Sequence, residues 1–317
     1  MLFKKMKIVF FIFILLFILI LYLIYNNLFY KNKIENFSNK KIYLIWRNLK
    51  ESMSWGLGDK VRSSIAVFQY CKRKNIELIL DGTDDISSKF LKNIKSNEYD
   101  YIKDKDVIDI PHTWNFEETV ESNLEKNDEI FITTNKCPDN DDCSTYKKNI
   151  FSDDEKNFAK YICEPLDFLK IEIDEIIKEL PKNYGIQHFR FDDNVFLADI
   201  EINNDIFIEF FNILKKNYKE TDVLLSNSTN FKNFAKDNLN IKIIKYKSDN
   251  QNVSHTGNSH GNDNEYESVK NSFIDFFILT KAKYIKTNSS YGWMSNFVKW
   301  PALIYDIDIE RYGYDIL

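Results

Sequence analysis

Glycine is scarce in this chain, with eight among 317 residues, where an average usage of about 7% would give roughly 22. Arginine is scarcer: Arg47, Arg62, Arg73, Arg190 and Arg311 stand against 38 lysines. Four cysteines are too few for a disulfide scaffold of this length. Five prolines and eight glycines exclude collagen-like and low-complexity classes. Excess positive charge is also missing. The net charge of -5 excludes a nucleic-acid binder that works by bulk attraction to phosphates. What is abundant is Ile, Lys and Asn, the mark of an AT-rich coding bias. Under that bias a retained Gly or Arg is informative. Gly marks backbone that needs close approach or positive φ, and Arg marks a planar bidentate contact that Lys cannot copy. With 44% hydrophobic and 29% charged residues, the chain is neither a disordered tail nor a polytopic membrane protein.

One long apolar run is present. Residues 8–30, IVFFIFILLFILILYLIYNNLFY, carry no charge. At 1.5 Å per residue such a run spans a hydrocarbon core of roughly 30 Å. It is too long for a signal-peptide core, and no small-residue cleavage site follows it. Residues 1–30 are therefore expected to be a single membrane anchor and 31–41 a polar stem. Lys4, Lys5 and Lys7 precede the run, while Lys31, Lys33, Lys40 and Lys41 follow it, so flanking charge leaves the orientation open. The short leading segment and the large part that follows favour a type II protein facing an ER- or Golgi-type lumen.

Beyond the stem, strand and helix signals alternate. Apolar runs predict strands at 42–46, 76–81 and 129–134, with helical spacing over 59–75 and over 154–180, the latter interrupted by Pro165. The pattern restarts with strands at 184–190, 222–226, 241–246, 284–287 and 302–306. Helices are expected at 206–218, 230–238, 266–281 and 292–300. Residues 82–128 and 135–153 are poorly patterned and read as loops and short helices, and 248–264 as a flexible loop. Such alternation predicts parallel sheets covered by helices. The break near Pro181 divides the chain into 42–180 and 181–317, each of Rossmann size.

Three segments carry candidate chemistry. The first is Gly56-Leu57-Gly58-Asp59-Lys60-Val61-Arg62, a glycine-rich turn opening a helix, where exposed N–H groups can meet an anion. Val61 stands where a full dinucleotide fingerprint has its third glycine, and an ordinary turn with a surface arginine would read the same way. The second is His188-Phe189-Arg190-Phe191-Asp192-Asp193, at the end of a strand where open α/β sheets hold ligands. Alternation sends His188 and Arg190 to one face. Arg190 reads either as a plain salt bridge or as a guanidinium fork on a diphosphate, oriented by Asp193. The third joins Asp275, the one acid in the apolar run 272–279, to the hydroxyl-rich Thr287-Asn288-Ser289-Ser290. Its serines suit a phosphate cradle or simple helix caps.

In this order GLGDKVR, HFRFDD and IDFFILTKAKYIKTNSSYGWMSNFV resemble the three motif regions of the fucosyltransferase superfamily. That group spans α1,2- and α1,6-fucosyltransferases and protein O-fucosyltransferases, and the likeness covers about residues 42–306. It implies a GT-B fold of two Rossmann-like domains, the first on the acceptor side and the second binding the nucleotide sugar. It also implies a GDP-fucose donor, inversion at the anomeric carbon, a glycan or protein acceptor and no required metal. By motif, His188 would lie by the guanine, Arg190 on the diphosphate, Asp275 at the guanine edge, and Ser289 and Ser290 on the phosphates. Gly56, Gly58 and Arg62 complete the expected donor-side set. Phe191 stands where many members carry a second arginine.

The residues agree with that chemistry. Charge that builds on a leaving phosphate can be met by an arginine and helix N–H groups without a metal. Asp193, Asp192 and Asp59 are candidate general bases, and His255 is either a donor contact or an exposed loop residue. Cys137 and Cys143 are close enough in sequence for a small disulfide loop, and Cys71 reads as a buried thiol. The rival class is a tethered, non-catalytic module of the same fold, and the rival enzyme is a transferase of another GDP-sugar. Arg190 and the Ser289–Ser290 turn discriminate: convergence on one cleft favours the enzyme, and an Arg190 locked in a buried salt bridge elsewhere sinks it.

Overall fold

Ile42, Tyr43, Leu44 and Ile45 are all buried, and that continuous apolar run makes Lys41–Ile45 (β1) an interior parallel strand covered on both faces. The computed structural model describes residues 14–22, 37, 39–47, 55–94, 106–111, 115–139, 141, 143, 146–196, 198–254 and 265–312. Most of the 8–30 run, most of the stem and His255 fall outside them. Residues 14–22 form a helix (α1) whose apolar side chains are exposed. No helix among the described residues is long and apolar enough to cross a membrane.

After β1 come Leu57–Lys74 (α2), Glu77–Asp81 (β2), Val107–Ile110 (β3), Phe116–Leu124 (α3), Glu129–Thr134 (β4), Asp153–Ile162 (α4) and Asp167–Glu179 (α5). These strands form a parallel sheet in the order β2-β1-β4-β3. The chain continues with Gly185–Arg190 (β5), Asp205–Asn217 (α6), Asp222–Ser226 (β6), Thr229–Leu239 (α7), Lys242–Ile243 (β7), Glu265–Leu279 (α8), Tyr284–Ser289 (β8), Asn296–Ile304 (α9) and Asp308–Arg311 (β9). The second sheet, also parallel, runs β7-β6-β5-β8-β9.

Local chemistry sets the helix ends. Asp59 in the first turn of α2 and Lys72, Arg73 and Lys74 in its last turn complement the helix dipole. Asn75 stops the helix in the left-handed region at φ 53°. Ser152 and Glu155 form a reciprocal capping box on α4. Ser228 Oγ accepts the Phe231 N–H at 3.0 Å to open α7.

Three segments differ from the sequence reading. The expected strand at 302–306 is the second half of α9, because Val298–Ile304 are buried on every side and carry the helix through Pro301. The last strand starts at Asp308, after a left-handed turn at Asp306 with φ 56°. The expected strand 241–246 pairs only over Lys242–Ile243. Beyond it, Gln251 donates to Ser248 O at 2.6 Å and Tyr246 O at 3.2 Å, turning the chain inward so that Tyr246 is buried. β3 and α3 lie in the stretch read as poorly patterned; β3 has four residues and Pro111 follows it, which leaves little periodicity to read.

One apolar core runs through both sheets, from Ile42 to Ile309. A second, aromatic core of Phe189, Phe191, Phe207, Phe210 and Phe231 lies on the far face of β5. Between the sheets, α9 crosses α2 at Gly58. A Cβ on Gly58 would sit 2.7 Å from the Asn296 carbonyl carbon and 2.9 Å from the Phe297 nitrogen. The Cys137–Cys143 disulfide forms, and its loop brings Asp141 to 2.9 Å from Lys299 on α9, both side chains buried. Cys71 is a buried free thiol.

Gly58→Ala sets two terms against each other. Ala in place of Gly in a helix gains roughly 0.5–1 kcal/mol, whereas forcing backbone apart in a packed crossing costs about 1–3 kcal/mol. The overlap involves backbone rather than a flexible side-chain tip, so net destabilisation is expected. A lower Tm in thermal unfolding is the expected reading, and an unchanged Tm would mean that α9 can move away freely.

Candidate functional site

The second sheet reverses direction of growth at β5: β6 and β7 are added on one side, β8 and β9 on the other. Open α/β sheets bind ligands outside the carboxyl ends of strands at such a switch point. A cleft of about 270 Å³ opens there. From the second half it is lined by His188 and Arg190 of β5, Asp193, Asp275 of α8, and the turn that carries Tyr291 and Trp293. From the first half come Gly56, Leu57, Gly58 and Asp59 at the start of α2. Two helix N-termini therefore meet at the cleft, since Ser295, Asn296 and Phe297 of α9 also line it. Neither N-cap, Gly56 or Ser295, makes a side-chain capping bond, so their leading N–H groups are available to an anion.

Arg190 sits where β5 ends. Its Nη1 donates to Phe191 O at 2.9 Å, Nη2 donates to Asp193, and the guanidinium lies 5.8 Å from the Tyr291 ring centroid. The Asp193 N–H donates to Tyr291 Oη at 3.1 Å. These contacts, all at the end of its own strand, hold the guanidinium in the cleft.

His188 is buried, with Nδ1 2.9 Å from Thr287 Oγ1 and its ring 6.2 Å from that of Phe297. Burial, aided by the Arg190 charge, pulls its pKa down to about 3. The imidazole is neutral across the physiological range and serves as a hydrogen-bonding wall, not an acid.

Asp275 is 3% exposed and accepts from Tyr246 Oη at 2.7 Å on Oδ1. No donor among the described residues reaches Oδ2. Burial raises its pKa to about 6, against the opposing pull of Lys232 and the Tyr246 hydrogen bond. Lys232 is buried alongside; burial lowers its pKa while Asp275 and Asp199 raise it, and its Nζ donates to Gln251 O at 3.2 Å. Sequence reasoning missed Tyr246 and Lys232. Each comes from a separate element, and their meeting depends on the inward turn after β7.

Three residues expected in the donor set lie outside the cleft lining. Arg62 is buried one helical turn along α2, where its Nη2 is 3.1 Å from Asp59 Oδ1; it holds a lining residue instead of lining the cleft. Ser289 Oγ accepts from Tyr291 N at 3.2 Å inside the turn. The Ser290 N–H donates to Arg190 O at 2.9 Å, and its Oγ is buried with no partner among the described residues. Both serines complete β8 and its turn, because α9 begins at Asn296 and not near Gly292. The hydroxyls in the lining are those of Ser226, Ser254, Ser272 and Ser295. Arg311 secures the turn, donating to Tyr291 O at 2.9 Å and Gly292 O at 3.0 Å. Among the described residues no cluster of three or more His, Cys, Asp or Glu side chains is placed to hold a metal ion.

No protein-family model matches the sequence, and no curated protein matches it. Solved structures do. The fucosyltransferase NodZ from Bradyrhizobium is similar with a TM-score of 0.51 at 12% identity, over 87% of this chain and 96% of that one. NodZ alpha-1,6-fucosyltransferase co-crystallised with GDP gives a TM-score of 0.50 at 12% identity, over 84% of this chain and 92% of that one. At such identities the likeness is one of fold, and this chain has a fucosyltransferase-like α/β fold of two parallel sheets.

Proposed function

We propose that the chain is a glycosyltransferase that moves fucose from GDP-fucose to a hydroxyl of a glycan or protein acceptor, with inversion at the anomeric carbon. The observation that carries this reading is the company Arg190 keeps. One cleft joins its guanidinium, two uncapped helix N-termini and the buried carboxylate of Asp275. That set fits a guanosine diphosphate at both ends: cation and N–H groups for the phosphates, a lone carboxylate for a base edge with two donors. The NodZ structure of the same fold holds GDP.

In the proposed reaction the bond from the anomeric carbon to the β-phosphate oxygen breaks, and its electron pair stays on the phosphate. Arg190 and the leading N–H groups of α9 meet that charge, in a site whose walls cost no reorganisation. Asp193 holds the guanidinium through Nη2 and so fixes the direction of the fork. His188, neutral, packs beside the nucleotide.

The uncharged run 8–30 supports attachment to a membrane; in the proposed type II arrangement 31–41 is the stem and 42–180 and 181–317 are the acceptor and donor domains. The described part of that run, 14–22, is helical with its apolar side chains exposed.

The test is a panel of nucleotide sugars offered to the full chain, with binding and hydrolysis measured for each. GDP-fucose is expected to be bound and hydrolysed in preference to UDP-sugars. A preference for a UDP-sugar, or no binding of any GDP compound, would overturn the reading, while another GDP-sugar would revise only the sugar. Because arginine and helix N–H groups supply the phosphate contacts, EDTA is expected to leave turnover nearly unchanged. Loss of activity in EDTA, restored by Mn²⁺ or Mg²⁺, would overturn that mechanism.

A further inference from the structure

An inverting displacement needs a group on the side of the sugar away from the diphosphate, to take the acceptor proton. Three carboxylates line the cleft among the described residues: Asp59, Asp193 and Asp275. Asp275 is buried beneath Tyr246 and belongs to the base end of the cleft. Asp193 is bound to the Arg190 guanidinium and so lies with the leaving phosphate. Asp192, outside the lining, accepts the Asn194 N–H at 2.9 Å and caps the turn that follows β5.

Asp59 remains, and its setting is specific. It enters the cleft from α2, in the half that does not carry Arg190. Two donors hold it, Asn296 Nδ2 at 2.8 Å and Arg62 Nη2 at 3.1 Å, and both are on Oδ1. Oδ2 takes no donor among the described residues, and the side chain is 29% exposed. The carboxylate is thus fixed through one oxygen and presented through the other. The two donors come from different halves of the molecule, Arg62 from α2 and Asn296 from α9. They meet because Gly58 lets the two helices approach, with Asn296 backbone atoms 2.7–2.8 Å from where its Cβ would be.

We propose that Asp59 is the general base of the reaction, an assignment that rests on the transferase reading above. The acceptor hydroxyl gives its proton to Asp59 Oδ2 as its oxygen bonds to the anomeric carbon. The bond to the β-phosphate oxygen breaks, the electron pair leaves with GDP, and the proton passes later to solvent. Arg62 and Asn296 are positioning residues that act through Oδ1.

The experiment needs no knowledge of the acceptor, because water and azide serve as nucleophiles. Water must lose a proton and azide need not. The full-length parent and Asp59→Asn are compared for GDP binding by calorimetry, for hydrolysis of GDP-fucose, and for fucosyl azide formation in sodium azide. The variant is expected to bind GDP within about threefold of the parent, to lose roughly 10²-fold or more in hydrolysis, and to form fucosyl azide at near the parent rate. Should Asp59→Asn fail to fold, Asp59→Ala is measured in the same way, since the smaller side chain leaves room for azide. Unchanged hydrolysis, or a loss that azide does not restore while GDP still binds, would overturn the assignment and leave the transferase reading standing. A parent that neither binds GDP nor hydrolyses GDP-fucose would overturn both.

Discussion

Arg190→Lys is expected to lower kcat by roughly 10²–10³, the range seen when one transition-state donor is removed, while GDP affinity falls only a few-fold. The asymmetry follows from the geometry. The guanidinium spends Nη1 on Phe191 O and Nη2 on Asp193, and lies against the Tyr291 ring. Those contacts aim a rigid plane at one spot. A lysine keeps the charge but has one compact ammonium, which cannot hold Asp193 and the Phe191 carbonyl while also reaching a phosphate with fixed geometry. In the ground state the diphosphate is shared with the N-termini of α2 and α9, so binding survives. At the transition state the charge concentrates on the leaving oxygen, and the fork is lost where it matters most. Steady-state release of GDP at saturating GDP-fucose, with calorimetry for GDP, separates the two terms. Full activity in Arg190→Lys would remove Arg190 from the chemistry even though the fold is unchanged.

The cleft was legible in the sequence where a single segment decides the outcome. Alternation along Gly185–Arg190 puts His188 and Arg190 on the cleft side and Phe189 in the aromatic core, as strand geometry requires. The lone acid in the apolar run 272–279 stands out because an unpaired carboxylate there would be costly. What was not legible depends on two segments meeting. Gly58 looks like a phosphate turn in one dimension; in three, it is also where α2 and α9 touch. Arg62 reads as a ligand contact, yet one helical turn of rotation buries it behind Asp59. The hydroxyl cradle shifted because α9 starts at Asn296 rather than at Gly292, which leaves Ser289 and Ser290 at the end of β8 and puts Ser295 at the helix N-cap. Tyr246 ends an apparent strand, and only the side chain of Gln251 reveals that the strand stops early and turns it toward Asp275.

As pH falls through about 6, GDP binding is expected to weaken relative to UDP binding by up to tenfold per unit, the terminal phosphate of both nucleotides taking up a proton in the same range. The cause is Asp275. Burial raises its pKa to about 6, with Lys232 and Tyr246 pulling the other way. Guanine presents two donors on one edge, N1–H and the 2-amine, and these call for an ionised acceptor. A protonated carboxyl would offer one acceptor fewer and turn an O–H toward them. The sign follows: above pH 6 the group is already charged and binding is at its plateau; below it, a proton must be expelled for each guanine bound, so affinity drops with pH. Uracil offers no matching pair and gains nothing from the charge. Asp275→Ala should therefore do two things together. It should cost roughly 10²-fold in GDP affinity, the scale of hydrogen bonds to a charged group in a buried site, and it should reduce the pH dependence of GDP binding between 5 and 7 to that of UDP. Loss of affinity with the pH profile intact would assign the titration to another group. An unchanged affinity would take Asp275 away from the base and leave it a structural partner of Tyr246. Calorimetry of GDP and UDP across that range, on parent and variant, decides among these, because a merely structural role for the Asp275–Tyr246 pair would weaken both nucleotides alike.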